Sequence, residues 1–332
     1  MLPALSRIGR RRSLRAGAAL AVVLGLLLWW LLPLGDPAPT GTLSFSTGVR
    51  SGVYQRYGVR LKGALAKDLP NVSINLQTSE GSQQNLARVA AGKADFTIAT
   101  TDAVATYLHA RKPGYERLRG CVRLYDDYIQ LIVKRDSDID SVADLRGRKV
   151  AVGQAGSGVR LVADRLMTAA GLDPVDDVTP LPVGIDTMPK LLEAGRIDAF
   201  FWSGGLPTTA VTDLSERFAI RLVPLEEPLI KQLQAAGGST RYYRSAVMPA
   251  DAYRNAQQGQ AVPTVAVANV LVTTDRTDAA MTEAFTRTVI DSRDRIGREV
   301  HAAQLVDLRT AIYTDPLPLH EGAKRYYRSV KP

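Results

Sequence analysis

From Thr42 onward the apolar positions of the chain alternate between two periods. Thr42–Ser46 and Val72–Leu76 read as short strands. Between them Tyr54, Tyr57, Leu61, Ala64, Leu65 and Leu69 recur at the spacing of one helix face. A second helical stretch, Gln83 to Ala91, stops at Gly92, a residue suited to a helix end, and Asp95–Thr100 follows as a strand. The same step returns downstream. Lys149–Val152 predicts a strand feeding a helix with Val159, Val162, Leu166 and Ala169 on one face, closed by Gly171. Thr187–Ala194, Gly195 and Ile197–Trp202 then repeat helix, glycine and strand. Such alternation predicts an α/β fold.

Two of these stretches resemble each other. Ser51-Gly52-Val53 at the first helix start is matched by Ser157-Gly158-Val159. Ala91-Gly92-Lys93-Ala94-Asp95-Phe96 is matched, at nearly the same offset, by Ala194-Gly195-Arg196-Ile197-Asp198-Ala199-Phe200. Two similarly built halves follow, each with a glycine-rich strand-to-helix turn. Tyr128–Lys134 reads as a strand crossing between the halves and Val262–Thr273 as the strand that returns, so two crossovers form a hinge.

The N-terminal segment has a different character. Arg7, Arg10, Arg11, Arg12 and Arg15 precede an uncharged apolar run from Ala16 to Leu34, with Trp29 and Trp30 near its outer end. That order predicts an uncleaved signal anchor with its arginines inside and the body outside the cytoplasmic membrane. The arginine cluster also supplies much of the formal charge of +9. The remainder is spread without a basic run, which argues against a nucleic-acid partner. Cys121 is the single cysteine, so neither an intramolecular disulfide nor a thiolate metal site can be built.

The strand-to-helix turns carry the most suggestive chemistry. A helix start exposes unpaired backbone N–H groups at the positive end of its dipole, a natural seat for a carboxylate, and glycine lets a ligand approach the backbone. Ser51, Ser82 and Ser157 stand where a hydroxyl either caps a helix or reaches a ligand. Gly153-Gln154-Ala155-Gly156-Ser157-Gly158 lacks the lysine of a phosphate-binding loop. Catalytic patterns are missing: His109, His301 and His320 are scattered, and no His-Glu-x-x-His or Gly-x-Ser-x-Gly occurs. Asp95 and Asp198 sit at strand starts as turn residues, and Asp126-Asp127 has no cluster of oxygen ligands around it in sequence. No metal or cofactor is called for.

Five motifs in order resemble the TAXI-type extracytoplasmic solute-binding proteins of tripartite ATP-independent periplasmic (TRAP) transporters. They are Ser46-Thr47-Gly48 through Ser51-Gly52-Val53-Tyr54; Gly81-Ser82-x-x-Asn85-Leu86 with Gly92-x-Ala94-Asp95; Leu145-Arg146-Gly147 to Gly156-Ser157-Gly158; Ile197-Asp198-Ala199-Phe200-Phe201 with Gly205-x-Pro207; and Pro318-Leu319-His320-x-Gly322-Ala323-x-Arg325-Tyr326-Tyr327. Val49, Arg50, Gln55 and Thr101 depart from the usual residues, which leaves the ligand open.

The resemblance implies a periplasmic-binding-protein type II clamp: two lobes joined by a two-strand hinge, with a cleft between them. Residues 1–41 form the anchor and linker, 42–129 with 262–332 lobe one, and 130–261 lobe two. It further implies a non-enzymatic monomer that captures a small organic acid, glutamate-like or a dicarboxylate, for integral-membrane TRAP subunits. The implied contacts are Thr47, Ser51, Gly52 and Tyr54 from the first turn, Ser82 and Asn85 from the second, and Thr101 and Asp102 after the third strand. Gly156, Ser157, Gly158, Trp202 and Pro207 contribute from lobe two. A ligand-sensing domain on the same fold, signalling to a membrane partner, is the alternative; an exported enzyme on this clamp is a third reading.

Overall fold

The computed structural model describes residues 17–18, 20–27 and 39–330. The segment before Pro39 is a unit by itself, and within it residues 20–27 are helical. Among the described residues no helix is long and apolar enough to cross a membrane. The expected span Ala16–Leu34 lies partly, and the arginine cluster wholly, outside the described residues.

The body opens with β1 (Gly41–Ser46), α1 (Val53–Asp68), β2 (Val72–Gln77), α2 (Ser82–Ala90), β3 (Phe96–Thr100) and α3 (Thr101–His109). α1 buries Val53, Tyr57, Leu61, Ala64 and Leu65, the face set out by the helical spacing, and its opposite face is solvated. β1 pairs in parallel with both β2 and β3, so three strands deliver their C-terminal ends, and the helices that follow them, to one edge.

Strand β4 (Leu118–Lys134) is longer than expected, beginning well before Tyr128. The second half adds β5 (Lys149–Ala151), α4 (Gly158–Ala169), β6 (Thr179–Leu181), β7 (Ala199–Gly204), β8 (Ile220–Val223) and β9 (Tyr243–Met248), and β10 (Val262–Thr274) leads back. The sheet runs β2-β1-β3-β10-β4-β7-β5-β6, with β8 added to β4 and β9 to β10.

β4 and β10 are the long antiparallel pair at its centre, and each changes neighbours along its length. Up to Tyr128, β4 lies against β10; from Tyr128 to Val133 it pairs with β7. β10 pairs with β9 over Val262–Val267 and with β3 over Asn269–Val272. The exchange of partners therefore falls at Asp127–Tyr128 on one strand and Val267–Asn269 on the other.

Separate cores lie on either side of that exchange. One gathers Ile132, Val150, Leu166, Phe200, Leu222 and their neighbours, all drawn from residues 129–267. The other gathers Phe45, Leu61, Phe96, Leu271 and Phe285, with Phe96 and Phe285 stacked at 4.2 Å between ring centres. A third group, with Leu86, Val104, Val270 and Val272, packs α2 and α3. Leu271 joins one group while Val270 and Val272 join the other, which is the side-chain alternation of a strand covered on both faces.

Candidate functional site

Four helices begin at the ends of strands around one cavity. Its lining includes Gly52, Gly81, Thr100 and Ser157, the residues immediately before α1, α2, α3 and α4. The residues before the first three helices make no side-chain cap hydrogen bond, so the opening N–H groups at these positive helix ends, other than that of Gln84, which donates to the Gly156 carbonyl, are available to an anion. The cavity offers about 570 Å³ of empty space, counted out to solvent at its mouth. Val49, Val53, Val159, Met188 and Trp202 supply apolar wall, and residues from both cores contribute.

The backbone conformation of the turns explains their glycines. Gly81 has φ +129°, a value that L side chains avoid, and a Cβ there would stand 3.4 Å from the Ser157 Cα on the facing half. The halves meet at this mouth: the Gln84 amide donates to the Gly156 carbonyl at 3.0 Å, and Gln83 Nε2 donates to the Ser157 carbonyl at 2.9 Å.

A buried polar chain forms the floor. Tyr54 donates its hydroxyl to Asn269 Oδ1 and lies 3.1 Å from Ser82 Oγ, which in turn accepts the Thr100 amide at 3.2 Å. Asn269 Nδ2 donates to Asp127 Oδ1 at 2.7 Å, and Ser203 Oγ donates to Asp127 Oδ2 at 3.2 Å. Asp127 is only 3% exposed. Burial pushes its carboxyl up to about 7, against the pull of the hydrogen bonds from Asn269 and Ser203. Burial and the neighbouring Asp127 charge likewise raise the Tyr54 hydroxyl well above its ordinary range, leaving it a neutral donor.

Six of the expected contacts line the cavity: Gly52, Tyr54, Ser82, Ser157, Gly158 and Trp202. The Ser157 hydroxyl is already engaged, accepting the Arg160 amide at 3.0 Å and donating to the Gln154 carbonyl at 2.7 Å. It acts as a helix cap, while the backbone of its turn faces the cavity. The Trp202 indole donates to Thr208 Oγ1 at 2.9 Å, which fixes the ring as wall.

The other seven lie outside the lining, each for a visible reason. Thr47 Oγ1 is held by the Gln77 carbonyl at 3.0 Å and by Gln55. Asn85 ties β1 to β3 through Ser46 Oγ and the carbonyls of Thr47 and Ile98. Ser51 pairs with Asp186 at the rim and shares a second, smaller cavity with Pro207, which follows a cis peptide. Gly156 is engaged by Gln84, Thr101 is buried without a side-chain partner, and Asp102 is held by Tyr243 and Arg165. Arg50 is exposed in the turn before α1 and is not part of the lining.

Sequence reasoning missed Glu80, Thr100, Asp127, Gln154, Gly184 and Ser203 as lining residues. Asp127 alone gave a signal, since a carboxylate beside the apolar run Ile129–Val133 is costly to bury without a role.

Similar chains place this architecture. A protein of Bordetella bronchiseptica RB50 superimposes with a TM-score of 0.53 at 15% identity, over 88% of this chain and 98% of the other. An ancestral arginine-binding protein bound to arginine gives 0.50 at 16% identity, over 78% and 97%. An assigned L-cystine ABC transporter protein of Listeria monocytogenes gives 0.50 at 14%, over 81% and 99%. The fold is thus periplasmic-binding-protein type II, as expected. The NMT1-like family model matches residues 45–330, nearly the whole described body, and the chain belongs to the NMT1-like family.

Proposed function

We propose that this protein is an extracytoplasmic solute-binding component of a membrane transporter, which captures a small carboxylate-bearing molecule and catalyses nothing. The observation that carries this reading is the convergence of four helix N-termini from two cores on one cavity at the C-terminal ends of parallel strands. Such a ring of backbone donors holds a carboxylate without a charged side chain. No histidine or cysteine lines the cavity among the described residues, and the hydroxyls of Tyr54 and Ser82 there are 3.1 Å apart in a shared hydrogen bond.

In this reading residues 42–129 and 262–332 form lobe one and 130–261 lobe two, and the lobes swing about the points where β4 and β10 exchange partners. The N-terminal apolar run holds the body outside the cytoplasmic membrane. The order of the sequence motifs favours TRAP-type membrane subunits as the recipient. The likeness to proteins named for ABC transporters makes an ABC permease the competing recipient, and cross-linking in intact cells separates them by the subunit captured.

Native mass spectrometry of the gently purified chain tests the central claim. A co-purifying small carboxylate supports it. A chain that carries no solute, and takes none up from a panel of small acids and amino acids, refutes it.

A further inference from the structure

Asp127 is a buried carboxyl without a counter-ion. Its two oxygens receive hydrogen bonds from Asn269 and Ser203, the arrangement that favours the ionised form. It forms no ion pair in the structure, and among the described residues no arginine, lysine or histidine lines the cavity that it borders. The adjacent Asp126 takes the available cations, pairing with Arg123 and Arg244. Across the cavity Glu80 adds a second carboxylate, whose Oε2 is buried with no hydrogen-bond partner. The cavity lining thus carries two carboxyl groups and no cation, while the helix starts present donors.

A solute that is only an anion satisfies the helix starts and leaves the Asp127 wall uncompensated. A dicarboxylate adds a charge of the wrong sign beside it. Ionising a buried carboxyl with no partner is strongly unfavourable, and a cationic nitrogen beside it removes that penalty.

We propose that the bound solute is a zwitterion, with its carboxylate on the helix N-termini and a protonated nitrogen received by Asp127. The inference rests on the solute-binding reading above, and it narrows the expected organic acid by excluding simple dicarboxylates. Asp127 acts here as the specificity-determining residue, and Asn269 and Ser203 act as positioning residues that hold its carboxylate toward the cavity.

The test is calorimetric titration of the full chain, stripped of any co-purified solute, with the common L-amino acids. Each is run beside the deaminated acid of the same skeleton, so that L-glutamate is matched by glutarate. At least one amino acid should bind about a hundredfold more tightly than its deaminated partner, and Asp127→Asn should abolish that preference. The wild-type comparison alone decides the matter if the variant does not fold. Glutarate or succinate binding wild type as tightly as any amino acid overturns the inference and leaves the solute-binding reading intact. If no probe binds, the solute identified by native mass spectrometry decides: one with a cationic nitrogen supports the inference, and one without it overturns the inference alone.

Discussion

Arg165 on α4 reaches across to Asp102 on the first turn of α3, placing its guanidinium 3.3 Å from a carboxylate that is only 1% exposed. The same guanidinium donates to Tyr243 Oη at 2.9 Å, Thr106 Oγ1 at 2.8 Å and Ser239 Oγ at 2.6 Å, while Tyr243 donates to Asp102 at 2.6 Å. This clasp ties α4 and β9 to α3. Arg165→Met strips the buried carboxylate of its cation, for which the expected cost is about 3–5 kcal/mol of folding stability. Pairing it with Asp102→Asn should restore much of the loss. Chemical denaturation of both variants checks this, and a single variant as stable as wild type would show that the clasp contributes nothing.

Ser157 offers a sharper separation of roles. With its hydroxyl engaged at both ends, Ser157→Ala should lower stability by about 1 kcal/mol through loss of the cap. Affinity for a bound amino acid should stay within about twofold of wild type, since a loss of a few tenths of a kcal/mol is all that a disturbed neighbour imposes. Thermal melts beside calorimetry read the two effects, and a tenfold affinity loss without destabilisation would return the hydroxyl to the ligand.

The capping role shows where sequence reasoning stops. Both Ser-Gly-Val turns, the alternation of strands and helices and the return strand were legible, because they are fixed by local periodicity and by glycines at helix starts. The first part of β4 was not, because Arg119, Arg123, Asp126 and Asp127 interrupt its apolar pattern. Arg119 pairs with Asp275 and Asp126 with Arg244, partners distant in the chain, and Asp126 also with the nearby Arg123. α3 escaped notice because it follows β3 directly, with no glycine or proline between Thr100 and Thr101. The place of Asp127 in the site depends on Asn269 and Ser203, which only the folded chain brings to it.

The buried Asp127 gives the ligand-free protein a pH dependence of stability. Its carboxyl sits near 7 in the folded state against an ordinary 3.8, so between those values the folded chain holds a proton that the unfolded chain has released. Stability therefore falls as pH rises from about 4 to 7, by an amount of order 4 kcal/mol from this group. Tyr54, Asp102, Tyr125 and Asp126 are the titratable groups that interact with it, and Asp102 and Asp126 are ion-paired. Asp127→Asn should flatten this slope, and a saturating amino acid should reverse it by stabilising the ionised form. Melting temperatures between pH 5 and 8, with and without amino acid, read all three. Identical slopes for wild type and variant would count against a raised Asp127.

Gly81 tests closure itself. Its φ of +129° is strained for any other residue, so Gly81→Ala should destabilise by about 1 kcal/mol or more even in the open state. The added methyl also meets Ser157 Cα at 3.4 Å and Gly158 N at 3.5 Å, atoms of the opposing turn that the proposed lobe motion would bring up to it. A bulkier Gly81→Val reaches further into that gap and opposes closure directly. Affinity should therefore fall more steeply than stability along the series Gly, Ala, Val, with the valine variant losing tenfold or more. Small-angle scattering supplies the second readout, because wild type should contract when an amino acid binds and the valine variant should contract less. Equal contraction in both proteins, with affinity tracking stability alone, would mean that the Gly81–Ser157 approach plays no part in holding the clamp shut.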